Sequence, residues 1–241
     1  RKDTYIKQYY QTKAQKKMAY SIKSIRKEFK ERGVFYTDVK LARVLKSFLP
    51  ETKEVYDPTC GDGGLLSVFG DDVKKFGQEI NAEQAAVASD RLTNANIAVG
   101  DTLLAPAFME RKFDAIIANP PFSIKYTPEA VKGDKRFEDY QLPPQSKADY
   151  AFLLHILYML SDNGTAAGLS FPGVLYRGNK EGAIRKQLIE GNYVDKIVRI
   201  PSGCFVDTAI ETAIIVLKKK RDTTNVEFIE LSDEDIKRYE G

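Results

Sequence analysis

The sequence predicts an open α/β sheet, mostly parallel, with helices on both faces, and two observations carry that expectation. β-rich runs alternate with helical patterns through residues 54–118, and an acid or an amide stands at the exit of each run: Asp57, Glu79, Asp101 and Asn119. A parallel sheet brings all such exits to one edge, where open α/β sheets collect their ligands. Taken singly each of these residues is an ordinary turn former; four in register along one edge are much harder to explain that way.

Composition bounds what such a sheet can belong to. At 241 residues and 43% hydrophobic, the chain can bury one good core with appendages. The longest nearly unbroken apolar run, residues 150–160, is about half of a bilayer span, and the basic amino terminus lacks the apolar stretch of a signal peptide. A soluble cytoplasmic protein with no membrane partner is expected. The two cysteines, Cys60 and Cys204, and the single histidine, His155, make neither a disulfide framework nor a nitrogen and sulfur metal site, so no metal is expected.

The net charge of +3 conceals a division. Residues 1–32 hold eleven Lys and Arg against three acids, a charge of +8, which leaves −5 on the rest. Met18, Ile22, Ile25 and Phe29 recur at helical spacing among Lys16, Lys17, Lys23, Lys27 and Lys30, which predicts a basic N-terminal helical segment over 1–32. A solvated helix face and contact with a polyanion both fit this segment.

From Gly33 the chain changes character. A helix is expected over residues 39–49, with Asp38 as N-cap and Pro50 beyond its end. Residues 54–57 form a short strand that runs into Pro58, Thr59, Cys60, Gly61, Asp62, Gly63 and Gly64, then Leu65 and Leu66, a pattern of strand, glycine turn and helix. Glycines there let the backbone turn tightly and approach a ligand where a Cβ would clash. The next strand, 74–79, ends on Glu79, 22 residues after Asp57, about where such sheets place a carboxylate on ribose hydroxyls. No lysine stands in the loop, and Asp57, Asp62 and Glu79 would repel a polyphosphate, so the ligand expected is a nucleoside carrying positive charge. A third strand, 97–99, delivers Asp101, a carboxylate suited to an adenine amino group. A fourth, 113–118, exits into Asn119, Pro120, Pro121 and Phe122, a segment stiffened by two prolines.

The glycine turn at 57–64 followed by Asn119, Pro120, Pro121 and Phe122 resembles the cofactor and catalytic motifs of S-adenosylmethionine-dependent N6-adenine DNA methyltransferases. More narrowly, the chain resembles the modification subunit of type I restriction–modification systems. The narrower likeness rests on residues 33–37, the pair Gln78 and Glu79, and residues 148–152, 171–175, 184–185 and 200–212. The resemblance implies a Rossmann-like methyltransferase fold with a mostly parallel seven-stranded sheet and an antiparallel terminal strand. It implies S-adenosyl-L-methionine as cofactor, with Phe35, Tyr36 and Thr37 at its methionine end, Asp57, Cys60, Gly61 and Gly63 in the loop beneath it, Glu79 on the ribose, and Ile80, Asp101 and Leu103 framing the adenine. Val34, Asp38, Thr59 and Asp62 depart from the family's usual glutamine, proline, alanine and serine.

The chemistry implied for the last four residues can be stated physically. An adenine amino group is a poor nucleophile because its lone pair is delocalised into the ring. The Asn119 side-chain oxygen and the Pro120 carbonyl can each accept one of its N–H bonds, orienting the nitrogen and favouring the charge that develops on it. Phe122 can stack on a base flipped out of the duplex, an interaction worth ~1–3 kcal/mol. The tetrapeptide by itself specifies only a planar amine: cytosine N4, guanine N2 of RNA and a protein glutamine amide also qualify. A non-catalytic scaffold that binds cofactor and DNA is the alternative of another class, and the intact Asn119 to Phe122 argues against it, since binding alone requires no such clamp.

Residues 123–147, with Pro128, Gly133, Pro143 and Pro144, are too long for an ordinary connection and read as a functional loop. Lys125, Lys132, Lys135 and Arg136 are candidates for phosphate contacts, and Phe137 and Tyr140 for support of the base; a loop ordered only by DNA fits equally. Residues 149–160 read as a buried helix in which His155 is packed or partly wet rather than catalytic. A strand at 166–170, a helix at 180–190 and β-rich runs at 194–200 and 212–217 follow, the last two as an antiparallel pair closing the sheet. Phe205 suits either the base pocket or the core. A strand-like run at 226–231 precedes a short helix capped by Ser232 or Asp233. Three regions result: 1–32, a catalytic domain at 33–221, and a C-terminal extension at 222–241. None has room to read a DNA sequence, so the partners expected are double-stranded DNA and a separate specificity subunit, with a restriction subunit as a further candidate.

Overall fold

A computed structural model describes residues 37–205 and 210–239. The basic segment 1–32 and the aromatic pair Phe35 and Tyr36 lie outside the described residues. Helix α1, Val39–Ser47, opens with the Asp38 side chain accepting from the Lys40 N–H at 2.8 Å, the cap its sequence predicts. Strand β1, Glu54–Asp57, follows and leads into the glycine turn. The helix expected after that turn shrinks to a three-residue 3-10 turn, Leu66–Val68. Gly70, Asp71 and Asp72 stand too close behind it for a helix to repay its nucleation.

Strand β2, Lys74–Glu79, is followed by helix α2, Ala82–Arg91, whose N-cap Asn81 accepts from the N–H groups of Glu83 and Gln84. Strands β3, Ala95–Val99, and β4, Phe113–Ala118, come next. Helix α3, Asp149–Met159, is buried on nearly every side, which accounts for its almost continuous apolar run. Strand β5, Leu160–Ser170, helix α4, Asn179–Glu190, and strands β6, Val194–Ile200, and β7, Thr212–Lys218, complete the expected order.

The sheet has eight strands in the order β3-β2-β1-β4-β5-β7-β6-β8. Strand β8 is Glu227–Glu230, from the run the sequence marks as strand-like, and it adds one strand to the seven expected. It pairs parallel with β6, and the following helix α5, Asp233–Lys237, buries Ile236 against the core, so residues 222–239 share the main sheet. Ser232 and Asp235 close a reciprocal capping box at the start of α5. The antiparallel strand β7 is not terminal in space: it lies between β5 and β6 and runs against both.

Residues alternate between the faces along each strand, with Ile116 in one core and Ala115 and Ile117 in the other. One core packs α3 and α4 on the sheet, the other packs α1 and α2. From β1 the chain moves outward through β2 and β3, then returns to place β4 on the other flank of β1. Strand order reverses between β1 and β4, and the carboxyl ends of those two strands are where Asp57 and Asn119 stand.

Candidate cofactor and amine site

The glycine turn is held from two sides. Cys60 N–H donates to the Gln78 carbonyl at 2.9 Å, and Gly61 N–H donates to Glu79 Oε2 at 2.9 Å. Gly61 and Gly63 have φ of +54° and +84°, where an L side chain is strained, and a Cβ on Gly63 would meet Leu92 Cδ1 at 2.8 Å. A Cβ on Gly64 would meet the Thr37 Cβ at 3.0 Å, so the described end of the aromatic segment packs directly on the turn. Cys60 is buried against Gly77, and its thiol is pushed up by burial and by the charges of Asp57 and Glu79. It is therefore no thiolate nucleophile.

Asp57 is 1% exposed and accepts from the Thr59 N–H at 2.9 Å. Burial pushes its carboxyl up to about 8; the Thr59 hydrogen bond opposes this and the nearby Glu79 charge adds to it. Glu79 engages the N–H groups of Gly61 and Asn81 with its two oxygens, each at 2.9 Å, which fixes its carboxylate at the end of β2. Asp62, counted from sequence among the repelling acids, is instead paired with Arg91 at 2.8 Å and accepts from the Gly64 N–H.

Asp101 caps its own turn, accepting from the Leu103 N–H at 2.8 Å and the Leu104 N–H at 3.3 Å. Ile80, at the end of the neighbouring strand β2, is 67% exposed, whereas Leu103 is 2% exposed and packs in the core. Gln78 holds the far side of this loop, donating to the Ala105 carbonyl and accepting from the Ala107 N–H, both at 2.9 Å.

Asn119 follows β4 half-buried, and among the described residues its side chain makes no hydrogen bond. Pro120 is buried, Pro121 exposed, and Phe122 leans partly on the core. The chain then turns through Ser123 at φ +52°, with its N–H on Asp149 Oδ1 at 3.2 Å and its hydroxyl accepting from Arg177 at 3.2 Å. Residues 119–122 are thus fixed at their exit by the two contacts of Ser123.

The loop beyond is compact. Ala148 N–H donates to the Ile124 carbonyl at 2.9 Å and Tyr126 N–H to the Gln145 carbonyl at 3.1 Å, closing its base, and a 3-10 turn, Pro128–Val131, packs Val131 inside. Lys125, Lys132 and Lys135 are exposed, as phosphate contacts require. Arg136 is not: it is 2% exposed, and its guanidinium is engaged by protein groups. Phe137 is likewise in the core, and Phe205 is buried on the opposite core face, so packing accounts for both. His155 is fully buried between Tyr56 Oη at 2.9 Å and Arg136 at 3.0 Å, and burial, with Arg136 beside it, pushes its imidazole down to about 3. It stays neutral and is packed, as its sequence context predicts.

Sequence reasoning missed Gln78 as a loop anchor, the Thr102 hydroxyl on the Pro58 carbonyl at 2.5 Å, and the part of Arg136. Gln78 stands beside Glu79 at the end of β2 and Thr102 beside Asp101 after β3, so position marks both, but their partners Ala105, Ala107 and Pro58, and the inward turn of Arg136, are set by contacts distant in sequence. A cleft of about 980 Å³ lies at the amino-terminal ends of β1 and β4, lined by residues such as Arg43, Lys53 and Asp114, on the opposite edge from Asn119. Among the described residues no group of three His, Cys, Asp or Glu is placed to hold a metal, and no helix is long and apolar enough to cross a membrane.

The reversal of strand order at β1 and β4, with a glycine turn after β1, a carboxylate after β2 and the Asn119 to Phe122 segment after β4, belongs to a Rossmann-like methyltransferase fold. The family model described as N-6 DNA Methylase matches residues 20–240, and the chain belongs to that family. The type I restriction enzyme MpnII methylase subunit of Mycoplasma pneumoniae is 38% identical over 237 residues, covering 85% of this chain and 44% of that protein. The crystal structure of a type I restriction-modification system methyltransferase subunit from Streptococcus thermophilus superimposes with a TM-score of 0.76 at 33% identity, covering 85% of this chain and 52% of that one. The type I restriction enzyme EcoKI M protein shares the fold at a TM-score of 0.65 and 21% identity, over 84% of this chain and 52% of its own. The chain spans about half the length of these relatives.

Proposed function

We propose that the protein transfers a methyl group from S-adenosyl-L-methionine to the N6 amine of an adenine flipped out of double-stranded DNA. It would do so as the catalytic part of the modification component of a type I restriction–modification system, acting in the cytoplasm. The observation that carries this reading is the Asn119 amide, without a hydrogen-bond partner among the described residues, at the β1/β4 switch point across from Asp57 and the glycine turn. Family membership narrows the amine to adenine.

The residues present fit the cofactor: two left-handed glycines leave room for a close backbone approach, and a buried carboxyl with a raised pKa awaits a positive charge. When bound, S-adenosyl-L-methionine supplies the electrophilic methyl. Glu79, already fixed by two N–H groups, would hold the ribose hydroxyls; Asp101 and Ile80 would frame the adenine ring, with Leu103 supporting the turn from beneath; Phe35, Tyr36 and Thr37 would close the methionine end. Asn119 and the Pro120 carbonyl would accept the two target N–H bonds and favour charge on the nitrogen, Pro121 would keep the segment stiff, and Phe122 would stack on the base. With Cys60 held as a thiol and His155 neutral and buried, direct transfer needs no protein nucleophile. Residues 33–221 would serve as the catalytic unit, and sequence choice would come from a separate specificity subunit, with a restriction subunit as further partner.

The test is transfer of labelled methyl to adenine-containing duplex, alone and with a candidate specificity subunit. Asn119→Ala should lower the rate by about 10²–10³-fold with cofactor affinity retained. Cofactor binding without transfer to any nucleic acid would leave only a scaffold, and label on cytosine, RNA or a glutamine side chain would move the substrate.

A further inference from the structure

Arg136 sits in the middle of the 124–148 loop, yet its side chain leaves the loop. Nε and Nη2 donate to Asp134 at 3.0 and 2.7 Å; Nη1 donates to the Thr102 carbonyl at 2.8 Å and to His155 Nδ1 at 3.0 Å; Nη2 also donates to the Leu103 carbonyl at 2.5 Å. All five guanidinium N–H groups are satisfied in a side chain 1% exposed. Because Nδ1 of His155 accepts, Nε2 carries the proton and donates to Tyr56 Oη. Thr102 in turn binds the Pro58 carbonyl of the glycine turn through its hydroxyl.

Three segments meet at this side chain: the glycine turn through Thr102, the Asp101–Leu103 turn through its carbonyls, and the loop that leaves the amine clamp through Asp134. A buried ion pair is weak evidence for added stability, because desolvation offsets its attraction. What it does supply is a fixed geometry between the segments it joins. Asp101 grips its turn from one side by accepting the Leu103 and Leu104 N–H groups, and Arg136 grips the same turn from the other.

We propose that Arg136 is a positioning residue through which occupation of the cofactor pocket sets the order of the 124–148 loop beside the target base. The proposal rests on the cofactor reading above. A ligand seated on Asp101 immobilises the turn; the two carbonyls of that turn then hold the guanidinium, and the guanidinium holds the loop. Filling one pocket thereby prepares the other before DNA arrives.

The experiment is amide hydrogen exchange with and without S-adenosylhomocysteine, in the wild type, Arg136→Lys and Asp134→Asn. Asp134 is only partly buried, with 25% of its side chain exposed, so its asparagine variant keeps the test alive if the lysine variant fails to fold. In the wild type, the ligand should slow exchange of amides in 124–145 by about fivefold or more, the lower end of measured couplings. In either folded variant that ratio should fall to about twofold or less, while calorimetry still detects ligand and the amides of β2 and β4 keep their protection. A loop that responds to ligand equally in wild type and variants overturns the proposal. So does a wild-type loop that ignores a ligand the protein demonstrably binds, with the cofactor reading left standing; a wild type that binds no ligand overturns both.

Discussion

The buried carboxyl of Asp57 should make binding of the proposed cofactor a proton-releasing event. Burial raises its pKa to about 8, so near pH 7 most molecules hold the proton there. In the proposed pose the α-ammonium of the methionine end, which S-adenosylhomocysteine keeps, would bring a positive charge to the same turn and favour the carboxylate, returning the pKa toward its ordinary range. Binding at pH 7 should therefore release most of a proton, and affinity should rise by about ninefold from pH 6 to 7 and about fivefold from pH 7 to 8, then level off. The assay is titration calorimetry with S-adenosylhomocysteine in phosphate and in Tris, whose ionisation enthalpies differ widely. The difference in apparent heat divided by the difference in ionisation enthalpy counts the protons. Asp57→Asn should abolish the release. A heat independent of buffer in the wild type, or the same release from the asparagine variant, refutes the reasoning. The stability sign is opposite to that of an ordinary paired carboxylate. A folded pKa raised above 3.8 means the native state holds the proton more tightly, so this group's contribution falls as pH rises from about 4 to 8. Asp57→Asn should accordingly raise the melting temperature more at pH 8 than at pH 5.

Three other outcomes are expected. Glu79→Ala removes a carboxylate fixed by Gly61 and Asn81, and losing two charge-assisted ribose hydrogen bonds, about 3 kcal/mol together, should weaken cofactor binding by about 150-fold in calorimetry; unchanged affinity would show that Glu79 does not hold the ribose. Gly63→Ala meets both a φ of +84° and Leu92 at 2.8 Å, and should cost about 2 kcal/mol in denaturant unfolding, against a negligible change if the turn relaxes freely. Converting Lys125, Lys132 and Lys135 to Gln should lower the slope of log affinity for duplex DNA against log salt by about three; an unaltered slope would remove these lysines from the DNA face.

The strand exits were legible because period and chemistry coincide there: β1, β2 and β4 begin and end where the sequence places them, and Asp57, Glu79, Asp101 and Asn119 share the carboxyl edge. The caps at Asp38 and Ser232 were legible for the same local reason. What sequence could not show depends on distance along the chain. Arg136 reads as a surface cation in a charged loop; only the approach of Thr102, Leu103 and His155, 19 to 34 residues away, turns it inward. Leu103, named from resemblance as a wall of the adenine slot, is buried in the same core as Tyr56 and Phe113, residues far from it in sequence. The eighth strand was visible as a β-rich run, but its parallel partner β6 is fixed by the crossing of β7, which no local pattern encodes.

The single histidine of the chain sits at the joint between the cofactor turn and the loop beside the clamp, with both ring nitrogens occupied and its charge state fixed across the working pH range. That gives the protein an intrinsic spectroscopic label. Uniform 15N labelling yields one imidazole, in one tautomer, with no assignment to make, and its two nitrogen shifts look in opposite directions: Nδ1 toward Arg136 and the ligand turn, Nε2 toward Tyr56 and the sheet. The order in which the segments of the site settle can be followed at that ring without adding a probe.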